Sequence, residues 1–519
     1  MRHRDTFGGA AHRLGGRRRG SRRPPRLRPG GVAPLLAAVS MAVLLASPPA
    51  GAAKLWESAP LSYDGPDGSH FTVSGSNQFR AEFADWWRPR AAPSRPGRYN
   101  FQANRFKLGI GGTWRQLEVF VQLQHVFLND VPRNGVGPGG VYWANTQDTF
   151  QASLMLRNAW ARLSDFGPGE HLTLTVGRQP YRSGFEVPIA DPHLRRVVFE
   201  RLAERLLGVR EYSMIGRSFD GATLDFRDEH VDLTMFGFLP TTGGFEIDGN
   251  KDIPDIVTAG AALTWIPPPA LRGTNVQAFY YLYRDDRDLV VFDNRPLAER
   301  RADRGQTLTI HSVGGQTVHT FDWGPGTADV LLWGVAQFGD WQSQRHRAWA
   351  WAFEAGYQLP DLPGQPWLRA GLNSGSGDSD PNDRYHESFF QMLPTARRRA
   401  RTPFYNLMNN QDAFTELWLS FTREVAAKLA FHGLQVNQTR DFAYSGGGAT
   451  SKTFFGYGGI PANGLRNLAY LLDASVRWQI TRNLAVDAYY GHGFGRSIVI
   501  DNSVNRALNY AFLECWLTF

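Results

Sequence analysis

Positively charged side chains recur at alternating positions of several extended segments, each of which is apolar on its other face. Those assigned to the polar face by this alternation are Arg80, Lys107, Arg369 and Arg477. Arginine suits carboxylate binding because its planar guanidinium donates two parallel hydrogen bonds and keeps its charge at physiological pH. Cations spaced along several segments therefore predict several weak sites for an anionic solute rather than one tight site.

Acidic residues on the same polar faces offer these cations a different partner. They are Glu82, Glu354, Asp473 and Asp487. An arginine that pairs with a neighbouring acid contributes to structure and is not available to a solute. The pattern leaves both interpretations open for each cation.

Motifs for catalysis are missing from the sequence. It contains no G-x-S-x-G elbow and no H-E-x-x-H zinc motif, its histidines lack metal-ligand spacing, and its single Cys515 excludes an intramolecular disulfide. Asp378, Asp380 and Asp383 suggest a calcium loop, but the glycine and closing glutamate of an EF-hand are absent. We predict a turn held by Asx side chains there, and we expect neither enzymatic activity nor a cofactor.

Strands must position the cations, because apolar residues recur with a period of two in segments between Ser69 and Phe519. Examples of the apolar phase are Phe71, Val73, Phe79 and Phe83; Trp349, Trp351 and Phe353; and Tyr470, Leu472 and Val476. The last segment alternates through Leu513, Cys515 and Leu517 and ends on Phe519, which resembles the closing strand of bacterial outer-membrane barrels.

The connections between these segments alternate in length. Long connections fall at roughly 84–100, 128–150, 180–216, 240–255, 284–305, 375–410, 439–465 and 495–507, with short ones between them. One-sided long loops are typical of an outer-membrane barrel, with short periplasmic turns and long external loops. The sequence thus predicts an all-β, antiparallel transmembrane barrel of about 18 strands, with Trp265, Tyr280 and Trp418 in its aromatic girdles.

The first residues have the features of a secretory signal peptide. A basic stretch is followed by an apolar run, 32–46, and a small-residue cleavage site near Ala52. We therefore expect a signal peptide at 1–52, a periplasmic lead-in at 53–68 and the barrel at 69–519. Ten arginines against one acid give the leader a charge of +9, so the rest of the +8 chain is near −1, which argues against nucleic-acid binding.

The long connection near 193–207 has helical periodicity. Leu194, Val198, Leu202 and Leu206 recur on one side, while charged residues occupy the other. Such a helix either covers the rim as an external lid or folds into the pore as a gate.

Several short motifs occur in an order that resembles the alginate-export family of outer-membrane barrels. They are Gly177-Arg178-Gln179, Arg217-Ser218-Phe219-Asp220-Gly221, Gln337-Phe338-Gly339-Asp340, and the run from Ser376 through Phe389-Phe390-Gln391-Met392-Leu393-Pro394-Thr395. The resemblance covers residues 70–519. It implies an eighteen-stranded barrel whose basic lumen passes a polyuronate outward. It also adds Arg178 and Arg217 to the pore-lining candidates, and Arg157 completes the set although its strand does not alternate cleanly.

The expected function is an anion-selective channel of the bacterial outer membrane for an acidic polysaccharide. The alternatives are a porin for small anions or sugars and a structural or adhesive barrel. Expected partners are the solute, outer-membrane lipid and the barrel-assembly machinery, with no nucleic acid. The sequence leaves open whether periplasmic export partners feed the pore.

Overall fold

The computed structural model describes residues 61–395 and 400–519. The expected signal peptide, 1–52, lies outside the described residues. The expected lead-in is described from Leu61 onward, where strand β1 (Leu61–Asp64) pairs with the beginning of β2. This lead-in is therefore attached to the edge of the barrel by backbone hydrogen bonds.

Eighteen strands in the described part of the chain form one antiparallel ring. They are β2 (His70–Asp85), β3 (Arg98–Trp114), β4 (Leu117–Asn129), β5 (Gln151–Phe166), β6 (Leu172–Gln179), β7 (Phe219–Arg227), β8 (Val231–Pro240), β9 (Ile256–Trp265), β10 (Thr274–Asp285), β11 (Leu308–Trp323), β12 (Gly326–Trp341), β13 (Gln344–Gln358), β14 (Trp367–Gly375), β16 (Asn410–Ser420), β17 (Val425–Gln435), β20 (Asn467–Gln479), β21 (Leu484–Gly495) and β22 (Ala507–Thr518). The short β15 (Tyr385–His386) pairs with β13, and β18 (Phe442–Gly446) pairs with β19 (Tyr457–Pro461) in a separate hairpin.

The last strand closes the ring on the first. β22 pairs with β2 from Ser76 opposite Thr518 to Asp85 opposite Asn509, and Phe519 exchanges two backbone hydrogen bonds with Gly75. A closed ring gives every barrel strand a partner on both sides, which a sheet surrounded by lipid requires. The predicted antiparallel barrel is confirmed.

The connections separate into two ends of the barrel. One end carries the turns 115–116, 167–171, 228–230, 266–273, 324–325, 359–366, 421–424 and 480–483. The other carries the long connections 86–97, 130–150, 180–218, 241–255, 286–307, 376–409, 436–466 and 496–506, together with one tight turn at 342–343. We call these the short-turn end and the long-loop end.

Helices occur in the long connections. They are Pro138–Thr146, Pro192–Val197, Leu297–Ala302 and Ser497–Asn502, with a π-helical turn at Val198–Leu202. Two 3-10 turns, Pro168–Glu170 and Pro269–Leu271, lie instead in connections of the short-turn end. Among the described residues, no helix is both long enough and apolar enough to cross a bilayer.

The strands present an apolar face outward. Leu332, Phe353 and Leu472 are each about half exposed, at 49%, 47% and 50%. Trp265 and Tyr280 share this outer face. Trp265 ends β9, as predicted for a girdle residue, whereas Tyr280 lies midway along β10, away from either girdle. Trp418 is not on the outer face: it follows the inward phase of β16 with Glu416, to which its indole N–H donates at 3.2 Å. The prediction that Trp418 belongs to an aromatic girdle was wrong, because an aromatic residue near a strand end is compatible with either face of the barrel wall.

The outer face gives a direct test of the barrel's orientation in lipid. Leu332 lies midway along β12 with its side chain outward. We expect Leu332→Arg to lower the free energy of unfolding by about 2–4 kcal/mol, because it places a cation at the bilayer midplane. Guanidine titration of the protein in lipid vesicles measures this change. Leu332→Ala is the control, and an arginine variant as stable as the alanine variant would contradict the lipid-facing assignment.

Candidate functional site

The connection 180–218 supplies the helix that the sequence predicts near 193–207. Its helical part is shorter than predicted, covering Pro192–Val197 and the π turn Val198–Leu202. The helix begins where the Asp191 carboxylate accepts a hydrogen bond from the Leu194 N–H at 2.7 Å, a standard N-cap, with Pro192 at the first helical position. Its apolar side, with Leu194, Val197 and Val198, is buried.

This helix lies inside the barrel near the short-turn end. The His193 imidazole contacts Gln358 at 2.9 Å and Asp329 at 3.1 Å. Gln358 is the last residue of β13 before the short turn 359–366. The connection starts from the long-loop end after Gln179 and has therefore passed through most of the barrel's height by residue 193. We call residues 180–218 the lumen segment.

One carboxylate on the barrel wall binds the lumen segment through several arginines. The Glu354 oxygens accept hydrogen bonds from Arg201 at 2.7 and 3.1 Å and from Arg205 at 3.0 Å. They also accept one from Arg369 of the neighbouring strand at 3.2 Å. All four side chains are at most 1% exposed. Because a buried charge without its partner is strongly destabilising, these bonds hold the segment against β13 and β14.

A second carboxylate extends this cluster. Glu416 on β16 accepts from Arg201 at 2.9 Å and from the Lys428 ammonium at 2.7 Å. Arg201 thus bridges two acids on different strands. Together with Glu354, this arrangement balances most of the buried charge on one wall.

The opposite wall holds the end of the same segment. Lys107 pairs with Glu211 at 2.8 Å, and Arg80 donates to the Tyr212 carbonyl at 2.9 Å. The lumen segment therefore crosses from β13 and β16 to β2 and β3.

A second connection packs on the lumen segment. The Leu393 N–H donates to the Leu206 carbonyl, and the Gly208 N–H donates to the Leu393 carbonyl, both at 2.9 Å. The residues around Leu393, including Phe389 and Phe390, are buried. Residues 389–395 and the lumen segment thus form one layer inside the barrel.

Most of the seven predicted pore-lining cations have protein partners. Arg80 pairs with Glu514 at 2.5 Å and with Glu82 at 3.4 Å. Arg369 pairs with Asp329 as well as Glu354. With Lys107 bonded to Glu211, these three lie on the inner wall as predicted by phase, but their partners are acids of the protein itself.

Arg157 and Arg217 are also buried, and they donate to neutral groups. Arg157 contacts the Ser218 hydroxyl at 2.9 Å, and Arg217 donates to the carbonyls of Leu393 at 2.9 Å and Ala449 at 2.7 Å. Arg217 therefore joins three connections. A β-bulge in β5 explains why this strand does not alternate cleanly: Gln122 and Leu123 of β4 pair with Asn158 and Leu156, which leaves Arg157 as the extra residue.

Arg178 differs from the other candidates in the face it occupies. It shares the phase of Val176, which is 50% exposed on the outer face, and Thr175 and Gln179 have the opposite phase. Its guanidinium pairs with Asp220 at 2.6 and 2.7 Å on the adjacent strand. With this register Arg178 faces outward and is not one of the lumen-facing cations. The family pattern from which it was taken gave its position in the sequence but not the face of the strand that it occupies.

Arg477 is exposed, unlike the other candidates. It shares the inward phase of Asp473 on β20 and lies toward the short-turn end. Within the described residues it forms no ion pair. It is therefore available to a solute.

The structure adds two lumen cations that strand periodicity could not identify. Arg195, on the helix of the lumen segment, is exposed. The Arg196 guanidinium lies 4.9 Å from the ring centres of both Trp367 and Trp418. With Arg477, they bring cations and aromatic rings together at the short-turn end. The charged side of the predicted helix was visible in the sequence. The position of this helix inside the barrel was not.

The acidic run 378–383 forms turns. Asp378 accepts from the Asp380 N–H at 3.0 Å, and Asp383 accepts from the Tyr385 N–H at 2.7 Å. Across 61–395 and 400–519, no three His, Cys, Asp or Glu side chains are grouped to hold a metal ion. The Asp378 N–H also donates to the buried Asp441 carboxylate at 3.0 Å, which joins two long connections.

Comparison with known proteins gives three findings. The family model for alginate export matches residues 76–512. Similar solved structures include Pseudomonas aeruginosa OccK9 (OpdG), with a TM-score of 0.54 and 11% identity, Acinetobacter baumannii OccAB2, with 0.53 and 9%, and the P. aeruginosa outer membrane protein OpdK, with 0.52 and 10%. Each alignment covers 86% of this chain and 98% of the other. At these identities the likeness concerns the fold. No curated protein sequence matches.

Glu354 provides a test of how the lumen segment is held. We expect Glu354→Gln to lower stability by about 3–5 kcal/mol, because buried guanidinium groups lose a charged partner. Release of the segment should also make single-channel conductance larger and noisier and expose 190–205 to protease.

Glu118→Gln is the control for this variant. Glu118 is also on the inner wall, but its carboxylate pairs with the partly exposed Arg162 at 3.0 Å and not with the lumen segment. We expect this change to cost at most about 1 kcal/mol. Equal conductance and protease resistance in both variants would contradict the role of Glu354.

The Asp378 contact predicts a pH dependence. Burial is the main cause that raises the pKa of Asp378 to about 7 and that of Asp441 to about 6. A carboxyl whose pKa is higher in the folded than in the unfolded chain binds more protons when folded, so the contact loses stability as pH rises through 6 to 7.

Hydrogen exchange of amides 376–390 between pH 5 and 8, corrected for intrinsic rates, measures this loss. Asp378→Asn combined with Asp441→Asn should make protection nearly independent of pH, because both titrating carboxyls are removed. Asp380→Asn, which changes a neighbouring turn carboxylate, should keep the dependence. Wild-type protection that does not fall with rising pH would exclude the effect.

Proposed function

Because the chain belongs to the alginate export family and is an outer-membrane channel with a closed barrel, we propose that its solute is an alginate-like polyuronate. The observation that supports this solute is the group of available cations at the short-turn end, Arg195, Arg196 and Arg477. In outer-membrane barrels this end faces the periplasm. An exported acidic polymer would meet these cations first.

The chemistry of this entrance suits a polymer with one carboxylate per sugar. Arg195 and Arg477 are exposed, so they would bind carboxylates weakly enough for release. Trp367 and Trp418 place aromatic rings beside Arg196. The acids that pair with Arg369 at this end, and with Arg80 farther inside, would oppose tight retention of the polymer.

Passage of a polymer also requires space in the lumen. The lumen segment is held by ion pairs, and carboxylates of the solute could replace the wall acids as partners of its arginines. We therefore propose that the lumen segment acts as a gate that responds to the charged polymer. Its arginines would then bind solute only while the segment is displaced.

The filled lumen favours a second candidate, uptake of small anions. A small carboxylate needs less displacement of the lumen segment than a polymer does. The two candidates share the same cations and differ in solute length. Flux of long and short uronates through reconstituted channels distinguishes them.

Charge reversal at the entrance tests the proposal. In planar bilayers, oligouronate added on the short-turn side should block the wild-type channel in a concentration-dependent way. For Arg195→Glu combined with Arg477→Glu, we expect the half-blocking concentration to rise about three- to tenfold, because each exposed charge pair contributes up to about 1 kcal/mol.

Arg272→Glu combined with Arg482→Glu is the matched control. It makes the same change in net charge in the turns 266–273 and 480–483 at the same end. It should leave the block unchanged. Equal effects of the two pairs would show a general field effect and contradict binding at the entrance, and a wild-type channel indifferent to uronate would reject the proposed solute.

A further inference from the structure

A cavity of about 460 Å³ lies at the long-loop end, away from the entrance cations. Its walls come from several connections, including 86–97, 130–150, 376–409 and 436–466. The volume is within the range of about 300–1,000 Å³ that is typical of small-ligand sites. Aromatic residues, among them Trp86, Trp87, Phe404 and Tyr405, form much of its lining.

Trp87, which lines this cavity, has an unsatisfied hydrogen-bond donor. Trp87 is 7% exposed, and its indole N–H has no hydrogen-bond partner among the described residues. The ring of Phe404 packs edge-on against it at 4.8 Å between ring centres. Buried tryptophan N–H groups usually have a partner, and leaving one without a partner is unfavourable. A ligand oxygen in the cavity would satisfy this donor.

Arg95 contributes a cation to the same wall. Its guanidinium is positioned by the carbonyl of Asn134 at 3.1 Å, bonded to Nε, and by that of Gly135 at 2.5 Å, bonded to Nη2. In the described part of the chain it forms no ion pair with a carboxylate. Further N–H donors are therefore available for a bound anion.

These features together define the chemistry of a ligand. Aromatic walls accept the C–H face of a sugar ring, the Trp87 N–H requires an acceptor such as a hydroxyl oxygen, and Arg95 requires an anion. A uronate sugar carries all three groups on one ring. A hydrocarbon chain would leave both donors without partners.

We propose that this cavity is an external binding subsite for a uronate saccharide, in which Trp87 donates to a sugar oxygen and Arg95 binds the carboxylate. The proposal rests on the proposed function for its solute class. It places a second contact at the opposite end of the barrel from Arg195 and Arg477. The polymer would then be bound where it leaves the lumen.

Equilibrium binding tests the subsite separately from transport. Calorimetry of the full-length folded protein with a mannuronate trimer, and with the neutral mannose trimer, measures affinity and charge preference. We expect Trp87→Phe, which keeps a ring but removes the N–H, to weaken binding about five- to tenfold. Arg95→Met should remove the preference for the uronate trimer.

Trp143→Phe is the matched control. The Trp143 indole N–H is also buried and has no partner in the part of the chain that the structure describes, but its side chain is not part of the cavity lining. Its variant should bind like the wild type. Heat-modifiable migration in gel electrophoresis verifies that each variant forms a folded barrel.

The possible results separate the two proposals. Trimer binding that is weakened to the expected extent in Trp87→Phe and retained in the Arg195→Glu, Arg477→Glu protein supports the subsite, even if uronate does not block the channel. Absence of trimer binding to wild type, equal binding of both trimers, or equal weakening by Trp87→Phe and Trp143→Phe would overturn it. Channel block by uronate in that case would leave the proposed function standing.

Discussion

The hydrocarbon around the barrel provides no hydrogen-bond partner for a peptide group, and this constraint determines the architecture. Each strand must pair on both sides, so the sheet closes where β22 meets β2. A ring of eighteen strands is wide enough to leave an interior that its own wall side chains do not fill. The outer face becomes apolar and the inner face is free to carry charge. The problem for this chain is therefore how to fill and balance a polar interior.

The lumen segment occupies this interior and forms ion pairs with its walls. Arg201 and Arg205 reach from it to Glu354, while Glu211 reaches from its other end to Lys107. The segment thus supplies cations to an acid on one wall and an acid to a cation on the other. Such pairs fix the path of the segment because each buried charge must find its partner. They are also bonds that a charged solute could replace, which links the stability of this layer to transport.

Strand periodicity was sufficient to predict the barrel and the inner position of Arg80, Lys107 and Arg369. The acids on the inner wall were also identifiable from the sequence. Glu82 pairs with Arg80, and Glu354 pairs with Arg369. The path of residues 180–218 was not predictable, because a helix of six residues with one apolar side packs equally well on a rim or inside a barrel. Arg195 and Arg196 were therefore missed as lumen cations. Arg178 and Trp418 show the related limit that a residue near a strand end needs a register before its face is known.

We expect the available cations at the short-turn end to determine which ions pass. The most direct measurement is the reversal potential of the refolded wild-type channel in a planar bilayer under a salt gradient. Anion selectivity that decreases as ionic strength screens the exposed arginines is the predicted result. Cation selectivity would contradict the account, because the wall acids and not Arg195, Arg196 and Arg477 would then control the pore.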